Sequence, residues 1–314
     1  MNIVFLDTLT LGNVPNLHIL KRFGEIDFYE TTSASEVVDR CRGKEIVITN
    51  KVIFDKARLS LLPELKLICL TATGMNNVDL DYARERNIVV KNVAGYSTES
   101  VAQTTFAMLL YLLNHLRFYD DYVRSGEFSK SSIFTHIGEG FWQLKGKQFG
   151  IIGLGTIGKR VALIAQSFGC KVVYYSTSGK NNNSSYQRLS LEELLKTSEV
   201  VSIHAPLNKN TLGLLSYDYL KLMKPSAILI NVGRGGIVNE NDLAKALDAE
   251  IIAGAALDVL HQEPVAAENP LLKIKNKDKL LITPHIAWAS VEARTLLVEK
   301  VAENIRIFMS GIAG

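Results

Sequence analysis

The sequence has no apolar run approaching the roughly 20 residues of a membrane span. Its three cysteines are scattered and form no C-x-x-C pair, so neither a disulfide framework nor a structural metal site is expected. The net charge is only +3, which predicts neither a nucleic-acid partner nor a membrane partner. The N-terminus lacks the basic and long apolar stretches of a signal peptide. Together these features predict a cytoplasmic protein.

The 314 residues and a hydrophobic content of 47% suit two domains with separate cores. In the first hundred residues, short β-rich runs alternate with helical patterns. Strands are predicted at 3–6, 26–29, 46–49, 67–70 and 88–91, with helical segments at 35–40 and 78–86. Apolar strands separated by crossovers indicate a parallel sheet covered on both faces.

A second series of strands and helices begins near residue 147, after a long apolar helix at 101–115. Strands are predicted at 148–152, 171–175, 200–204, 227–232, 253–259 and 280–283, and helices at 156–168, 191–196, 217–223 and 241–247. Ser190 and Glu193 match a capping box. Six strands so spaced favour a doubly wound dinucleotide-binding sheet. An amphipathic helix at 290–309 has no strand after it and could return to the first domain.

The segment 117–147 is aromatic and irregular. It is either a surface excursion that packs on its own domain or an arm that packs on a second subunit. The sequence leaves these two readings open.

Gly153, Gly155 and Gly158 form a G-x-G-x-x-G between a predicted strand and a predicted helix, which is the context that a dinucleotide-binding turn requires. The first glycine permits the tight turn, the second lets a pyrophosphate approach, and the third lets helix and strand pack closely. Free N–H groups at the helix start would receive the anion.

An acidic residue about 20 positions further on would bind the ribose 2′-hydroxyl of NAD, but none occurs between Gly158 and Glu192. Ser176 and Lys180 follow the second strand instead. Hydroxyl groups and an ammonium group would bind the 2′-phosphate of NADP, whereas a carboxylate would repel it. The cofactor is therefore predicted to be NAD or NADP, with NADP favoured.

Three further segments follow neighbouring predicted strands and bring Arg234, Glu263 and His285 towards one sheet edge. Each of these three residue types suits the reduction of a 2-keto acid. Arg234 could hold the carboxylate and polarise the ketone. His285 could donate a proton to the developing alkoxide, and Glu263 could orient its imidazole.

Two other histidines occur in the second series of strands and helices. His261 is next to Glu263 but outside any strand terminus, so a solvated role is expected. His204 ends a strand and is expected to line the cofactor crevice.

The chain resembles the D-isomer-specific 2-hydroxyacid dehydrogenase family over nearly its whole length. The resemblance is carried by the segments 71–79, 153–158, 231–236, 258–264 and 283–288. Segments 47–55, 91–97 and 285–290 are most similar to the glycerate dehydrogenase (hydroxypyruvate reductase) branch.

This resemblance implies an α/β fold of two doubly wound domains. A Rossmann dinucleotide-binding domain at 99–286 would be inserted in a flavodoxin-like substrate domain formed by 1–98 and 287–314. It implies a homodimer, which favours the arm reading of 117–147. It also implies a small 2-keto or 2-hydroxy acid as substrate, namely hydroxypyruvate or D-glycerate, with glyoxylate also accepted.

The resemblance also assigns roles to individual residues. It implies Arg234, Glu263 and His285 as the catalytic residues. Besides the three glycines of the turn, the implied cofactor contacts are Thr73, Thr105, Thr156, Ile157, Ser176, Val232, Asp258 and His285. Gly74 and Met75, beside Thr73, would bind the substrate carboxylate together with Arg234.

The sequence departs from the family pattern at two places: the missing acid after Tyr175, and Gln103 where the family usually has Glu. Two alternatives stay open. One is a D-lactate or other D-2-hydroxyacid dehydrogenase, and the other is a dinucleotide-sensing scaffold that resembles the C-terminal-binding corepressors.

Overall fold

A computed structural model describes residues 1–312 of the chain. These residues form two compact units. One comprises Met1–Ser97 and the C-terminal segment from Trp288, and the other comprises Thr98–Ala287. The predicted division into a substrate domain and a nucleotide domain also concerns function, and it stays a prediction at this point. Residues 313 and 314 of the predicted substrate domain lie outside the described residues.

The first unit is built on a parallel sheet with the strand order β2-β1-β3-β4-β5. Its strands are β1 (Asn2–Phe5), β2 (Glu25–Phe28), β3 (Ile46–Thr49), β4 (Leu67–Leu70) and β5 (Val89–Lys91). This is the flavodoxin-like order. Each strand lies within one residue of its predicted bounds.

The helices of the first unit cover both faces of this sheet. They are α1 (Val37–Cys41), α2 (Lys56–Ser60), α3 (Leu80–Glu85) and, from the end of the chain, α10 (Val291–Ile312). Ile46 and Ile48 pack in one core with Leu297 and Val301 of α10. Val47 points to the opposite core, because successive strand residues face opposite sides. The last helix therefore completes the core that the N-terminal residues begin.

The second unit is built on a seven-stranded parallel sheet in the order β12-β11-β10-β9-β6-β7-β8. The strands are β6 (Gln148–Ile152), β7 (Lys171–Tyr175), β8 (Gln187–Arg188), β9 (Val200–Ile203), β10 (Ile228–Asn231), β11 (Gly254–Leu257) and β12 (Leu280–Ile282). The predicted α/β class with a Rossmann-type sheet is confirmed. The predicted number of six strands is wrong, because β8 is a two-residue exposed strand without an apolar pattern.

The helices of the second unit are α4 (Thr98–Leu113), α5 (Leu116–Arg124), α6 (Thr156–Ser167), α7 (Leu191–Thr197), α8 (Tyr217–Leu220) and α9 (Glu240–Asp248). Short 3-10 helices lie at Thr8–Leu11, Leu17–Phe23, Phe128–Lys130, Pro270–Lys273 and Lys277–Lys279. The capping box at α7 is confirmed: Ser190 Oγ accepts a hydrogen bond from the Glu193 amide. The sequence interpretation treated the segment that contains α5 as irregular, but the structure shows a helix there. None of the residues of α5 is buried.

Among residues 1–312, no helix is long and apolar enough to cross a membrane. All three cysteines are buried and free of disulfide bonds.

Candidate active site

The glycine-rich turn joins β6 to α6 at the carboxyl edge of the second sheet. Gly153 has φ +93°, a conformation that side chains disfavour. A Cβ atom on Gly158 would lie 2.3 Å from the Gly153 carbonyl oxygen, so only glycine allows the helix to start so close to the strand. A Cβ on Gly155 would meet nothing within 4 Å, which leaves open space beside the first turn of α6. These residues fit a dinucleotide pyrophosphate.

The turn stands at the topological switch point of the sheet, where β6 lies between β7 and β9. His204 directly follows β9 at this edge. Its Nε2 lies 2.8 Å from Ser202 Oγ, whereas its Nδ1 is buried without a hydrogen-bond partner in the described chain. Burial lowers the pKa of His204 to about 3, so the imidazole is neutral.

Arg234 lies on a turn that follows β10, and Asn231 holds this turn. Asn231 is buried, and its Nδ2 donates to the Arg234 carbonyl at 2.9 Å. Its Oδ1 accepts from the Gly233 amide at 3.1 Å. The Arg234 Nη1 donates to the Gly233 carbonyl at 2.8 Å. The local sequence therefore fixes the backbone from which the guanidinium extends.

The Arg234 turn contacts the segment that follows β11. A Cβ on Gly235 would lie 1.8 Å from the Leu260 carbonyl oxygen, so the two backbones touch there. The Leu260 amide in turn donates to Glu263 Oε1 at 3.0 Å. The other carboxylate oxygen, Oε2, lies 2.7 Å from His285 Nδ1. Backbone contacts and hydrogen bonds thus connect the three turns.

His285 follows β12 and has φ +56°, which is uncommon for a residue with a side chain. Its amide donates to the carbonyls of Asp258 and Thr283, both at 2.9 Å. The buried Asp258 carboxylate accepts from the Thr283 hydroxyl and from the amides of Ile286 and Ala287. Burial raises the pKa of Asp258, while these hydrogen bonds oppose the rise. Asp258 therefore fixes the turn that presents His285.

The structure thus places Arg234, Glu263 and His285 on turns after three neighbouring strands, β10, β11 and β12. Glu263 and His285 are in direct contact, and the His285 side chain stays 25% exposed. Such an imidazole, oriented by a carboxylate on one nitrogen, can transfer a proton through the other. The other two histidines considered in the sequence lie in different surroundings. His261 is exposed to solvent, and His204 lies at the topological switch point.

The other predicted cofactor residues belong to the same unit, with one exception. Ser176 is buried where β7 ends, and Val232 is buried where β10 ends. Thr105 is fully buried on α4 and donates to the Val101 carbonyl. The exception, Thr73, belongs to the first unit. The cofactor contacts of these residues stay predictions, as do those of Thr156 and Ile157 at the start of α6.

The predicted substrate loop lies in the first unit, after β4. Thr73 Oγ1 donates to the Val93 carbonyl at 3.0 Å, and Gly74 and Met75 are half-buried. Asn77 Nδ2 donates to the Val52 carbonyl at 2.9 Å and joins this loop to the turn after β3. The substrate roles of these residues stay predictions.

Sequence reasoning did not identify the residues that hold these turns, Asn231, Asn77 and Thr283. Asn231 carried a usable signal, because an Asn that ends a buried strand two residues before a Gly is typical of an Asx turn. Asn77 and Thr283 act through contacts distant in sequence, at separations of 25 residues each, and carried no local signal.

Comparison with known proteins agrees with this geometry. Residues 106–287 match the family model described as "D-isomer specific 2-hydroxyacid dehydrogenase, NAD binding domain". A glycerate dehydrogenase from Methylorubrum extorquens is 35% identical, and the alignment covers 98% of this chain and 96% of that protein.

Two solved structures are similar over nearly the whole chain. An NADPH-dependent glyoxylate/hydroxypyruvate reductase from Sinorhizobium meliloti, in complex with NADP and malonate, is 27% identical with a TM-score of 0.82, covering 98% of this chain and 93% of that one. A D-lactate dehydrogenase from Aquifex aeolicus, complexed with NAD and lactic acid, is 29% identical with a TM-score of 0.85, covering 99% and 96%. The chain therefore belongs to the D-isomer specific 2-hydroxyacid dehydrogenase family.

Proposed function

We propose that the protein reduces hydroxypyruvate to D-glycerate, and also reduces glyoxylate, with NADPH or NADH as the hydride donor. The observation that carries this proposal is the 2.7 Å contact between His285 Nδ1 and Glu263 Oε2, on turns joined by backbone contact to the Arg234 turn. The similar glycerate dehydrogenase and glyoxylate/hydroxypyruvate reductase support this choice of substrate.

The chemistry needs a hydride, a proton and a means of holding the keto acid. A reduced nicotinamide dinucleotide, held by the Gly153–Gly158 turn, would supply the hydride to the ketone carbon. His285 gives the proton on its Nε2 to the developing alkoxide, while Glu263 stabilises the positive charge that the imidazole carries before transfer. The Arg234 guanidinium binds the substrate carboxylate and polarises the ketone oxygen.

The two units receive separate tasks in this proposal. The second unit, 99–286 in the predicted bounds, holds the dinucleotide on the Gly153–Gly158 turn. The first unit, 1–98 and 287–314, is the substrate domain, and the backbone amides around Gly74 and Met75 bind the substrate carboxylate. Asn77 supports this role because it fixes the loop that carries these amides.

A second candidate is D-lactate dehydrogenase activity, which the similar Aquifex aeolicus structure favours. Pyruvate and hydroxypyruvate differ only by a hydroxyl on the third carbon, and Arg234, Glu263 and His285 act on the part that both share. A catalytically silent dinucleotide-sensing scaffold is the third alternative, and turnover with any keto acid contradicts it.

The test is a panel of hydroxypyruvate, glyoxylate and pyruvate with NADPH and with NADH, followed by loss of the reduced-nicotinamide absorbance. We expect the highest kcat/KM with hydroxypyruvate. A higher kcat/KM with pyruvate would assign the enzyme to the lactate branch. Absence of turnover with every pair, together with tight dinucleotide binding, would favour the scaffold.

The protein is also proposed to act as a cytoplasmic homodimer. Free, buried cysteines suit a reducing compartment. The arm after α5 exposes apolar side chains, with Phe134 93% and Ile137 83% exposed. Adjacent exposed apolar residues indicate an interaction surface, and a second copy of this chain is the proposed partner.

A further inference from the structure

The loop after β7 contains no acidic residue but does contain basic ones. Between Gly158 and Glu192 the sequence has no Asp or Glu, whereas Lys180 and Arg188 lie within or directly after the loop. Ser176 directly follows β7, where a carboxylate would bind the ribose of NAD. Its hydroxyl is buried and accepts a hydrogen bond from the Asn181 amide at 3.3 Å.

Side chains hold the loop against the phosphate-binding turn. Asn181 Nδ2 donates to the Leu154 carbonyl, which lies inside the G-x-G-x-x-G. The Tyr174 hydroxyl, at the end of β7, donates to the Asn181 carbonyl at 3.1 Å and accepts from the Asn183 amide at 2.9 Å. These hydrogen bonds position the loop beside the nucleotide turn.

Arg188 reaches back over this loop from the edge strand β8. Residue 188 pairs with Tyr174 of β7, and its Nη1 donates to the Gly179 carbonyl and to Asn182 Oδ1, both at 3.1 Å. In the described chain no hydrogen bond engages its Nε or Nη2. The planar guanidinium has five donors and binds phosphate with two of them at once. The two acceptors that bind the Arg188 guanidinium here are both neutral, so a negatively charged phosphate would compete favourably with them for its N–H groups.

We propose that Arg188 is the residue that receives the 2′-phosphate of NADP and thereby sets the cofactor preference, with Lys180 adding positive charge. This inference rests on the proposed dinucleotide-dependent function and specifies its cofactor. Sequence reasoning pointed to Ser176 and Lys180, but Arg188 lies 12 positions after Ser176 and reaches the loop only through the pairing of β7 with β8.

The test measures binding rather than turnover. The full-length protein, its Arg188→Ala and Arg188→Lys variants, and a Lys171→Ala control are titrated calorimetrically with NADPH, NADH, 2′,5′-ADP and 5′-AMP. Lys171 is an exposed cation at the opposite end of β7, so its loss removes the same charge away from the loop.

We expect Arg188→Ala to weaken NADPH and 2′,5′-ADP by about 10-fold to 100-fold, the effect of losing charge-assisted hydrogen bonds. NADH and 5′-AMP should change by less than about two-fold, since they lack the 2′-phosphate. Arg188→Lys should lie between, because an ammonium keeps the charge but not the fork. Lys171→Ala should bind all four nucleotides like the unmodified protein.

Two results would overturn the inference while the proposed function stands: equal weakening of the phosphorylated and unphosphorylated nucleotides in Arg188→Ala, or no weakening at all. A marked preference of the unmodified protein for NADH would also overturn it. If no dinucleotide bound to the unmodified protein, the proposed function itself would fail, and this inference with it.

Discussion

Gly235 lies against the carbonyl oxygen of Leu260, so close that a Cβ at position 235 would be 1.8 Å from that oxygen. This contact joins the turn that carries Arg234 to the segment whose Leu260 amide binds Glu263. The spacing between the guanidinium and the Glu263–His285 pair therefore depends on a position that has no side chain.

Replacing Gly235 by Ala should separate these two turns. We expect kcat/KM for the keto acid to fall by about 10²-fold or more, since misplacing a catalytic group by about 1 Å has this effect. Steady-state kinetics and thermal unfolding measure the outcome. Gly311→Ala is the control, because a Cβ there meets nothing within 4 Å. Kinetics of Gly235→Ala equal to those of Gly311→Ala would contradict the role of this contact.

The Glu263–His285 pair predicts a loss of rate when either residue is changed. His285→Ala should lower kcat by roughly 10²-fold to 10⁴-fold, the share of general acid catalysis. Glu263→Gln keeps the size of the side chain but removes its charge, so the protonated imidazole loses its partner. The rate of keto-acid reduction should then fall, though by less than in His285→Ala, because the proton donor remains. A kcat equal to that of the unmodified enzyme, measured at saturating keto acid, would refute the pairing.

Arg234 predicts a defect confined to the keto acid. Arg234→Lys retains the charge but loses the planar fork that matches a carboxylate, so kcat/KM should fall by about 10-fold to 100-fold. Dissociation constants for NADPH and NADH, measured by calorimetry, should stay within about two-fold. An equal loss of dinucleotide affinity would place Arg234 in the cofactor site instead.

His204 predicts how stability changes with pH. Burial lowers its pKa to about 3, below that of an unfolded histidine at about 6.5. Between these values the unfolded chain binds a proton that the folded chain does not, so the free energy of unfolding falls as pH falls. For one titrating group, the free energy of unfolding can change by at most about 1.4 kcal/mol per pH unit. From about pH 7.5 to pH 5, the unmodified protein should lose about 2 kcal/mol more than His204→Gln, as measured by urea unfolding. Equal losses would show that the imidazole is solvated.

The exposed arm predicts an oligomeric state. If Phe134 and Ile137 pack on a second subunit, changing both to Ser should shift the mass measured by light scattering from dimer to monomer. The exposed Leu163 on α6, changed to Ser, is the control and should leave the mass unchanged. A monomeric unmodified protein would instead favour the reading of the arm as a surface excursion.

Several features were predictable because their signals are local. Ile46, Val47 and Ile48 are consecutive apolar residues and predicted a strand covered on both faces. The glycine spacing of Gly153–Gly158, between a predicted strand and a predicted helix, predicted the turn. The capping box at Ser190 likewise involves residues three apart. Strand β8 escaped prediction because its two exposed residues carry no apolar alternation. Helix α5 has apolar and aromatic residues at helical spacing, Leu116, Tyr119 and Val123, but this signal was overlooked in a segment that the sequence interpretation treated as irregular.

Amino-acid order alone determined the parallel α/β class, the nucleotide turn and the placement of Arg234, Glu263 and His285 after strands of one sheet, because glycine spacing and apolar periodicity act between near neighbours in the chain. Only the tertiary structure decided which groups hold those side chains. The Asp258 carboxylate accepts a hydrogen bond from the amide of Ile286, 28 residues away in the sequence. Arg188 contacts the loop after β7 because β8 pairs with β7. Such contacts form when distant segments are brought together by folding, and no short window of sequence contains both partners.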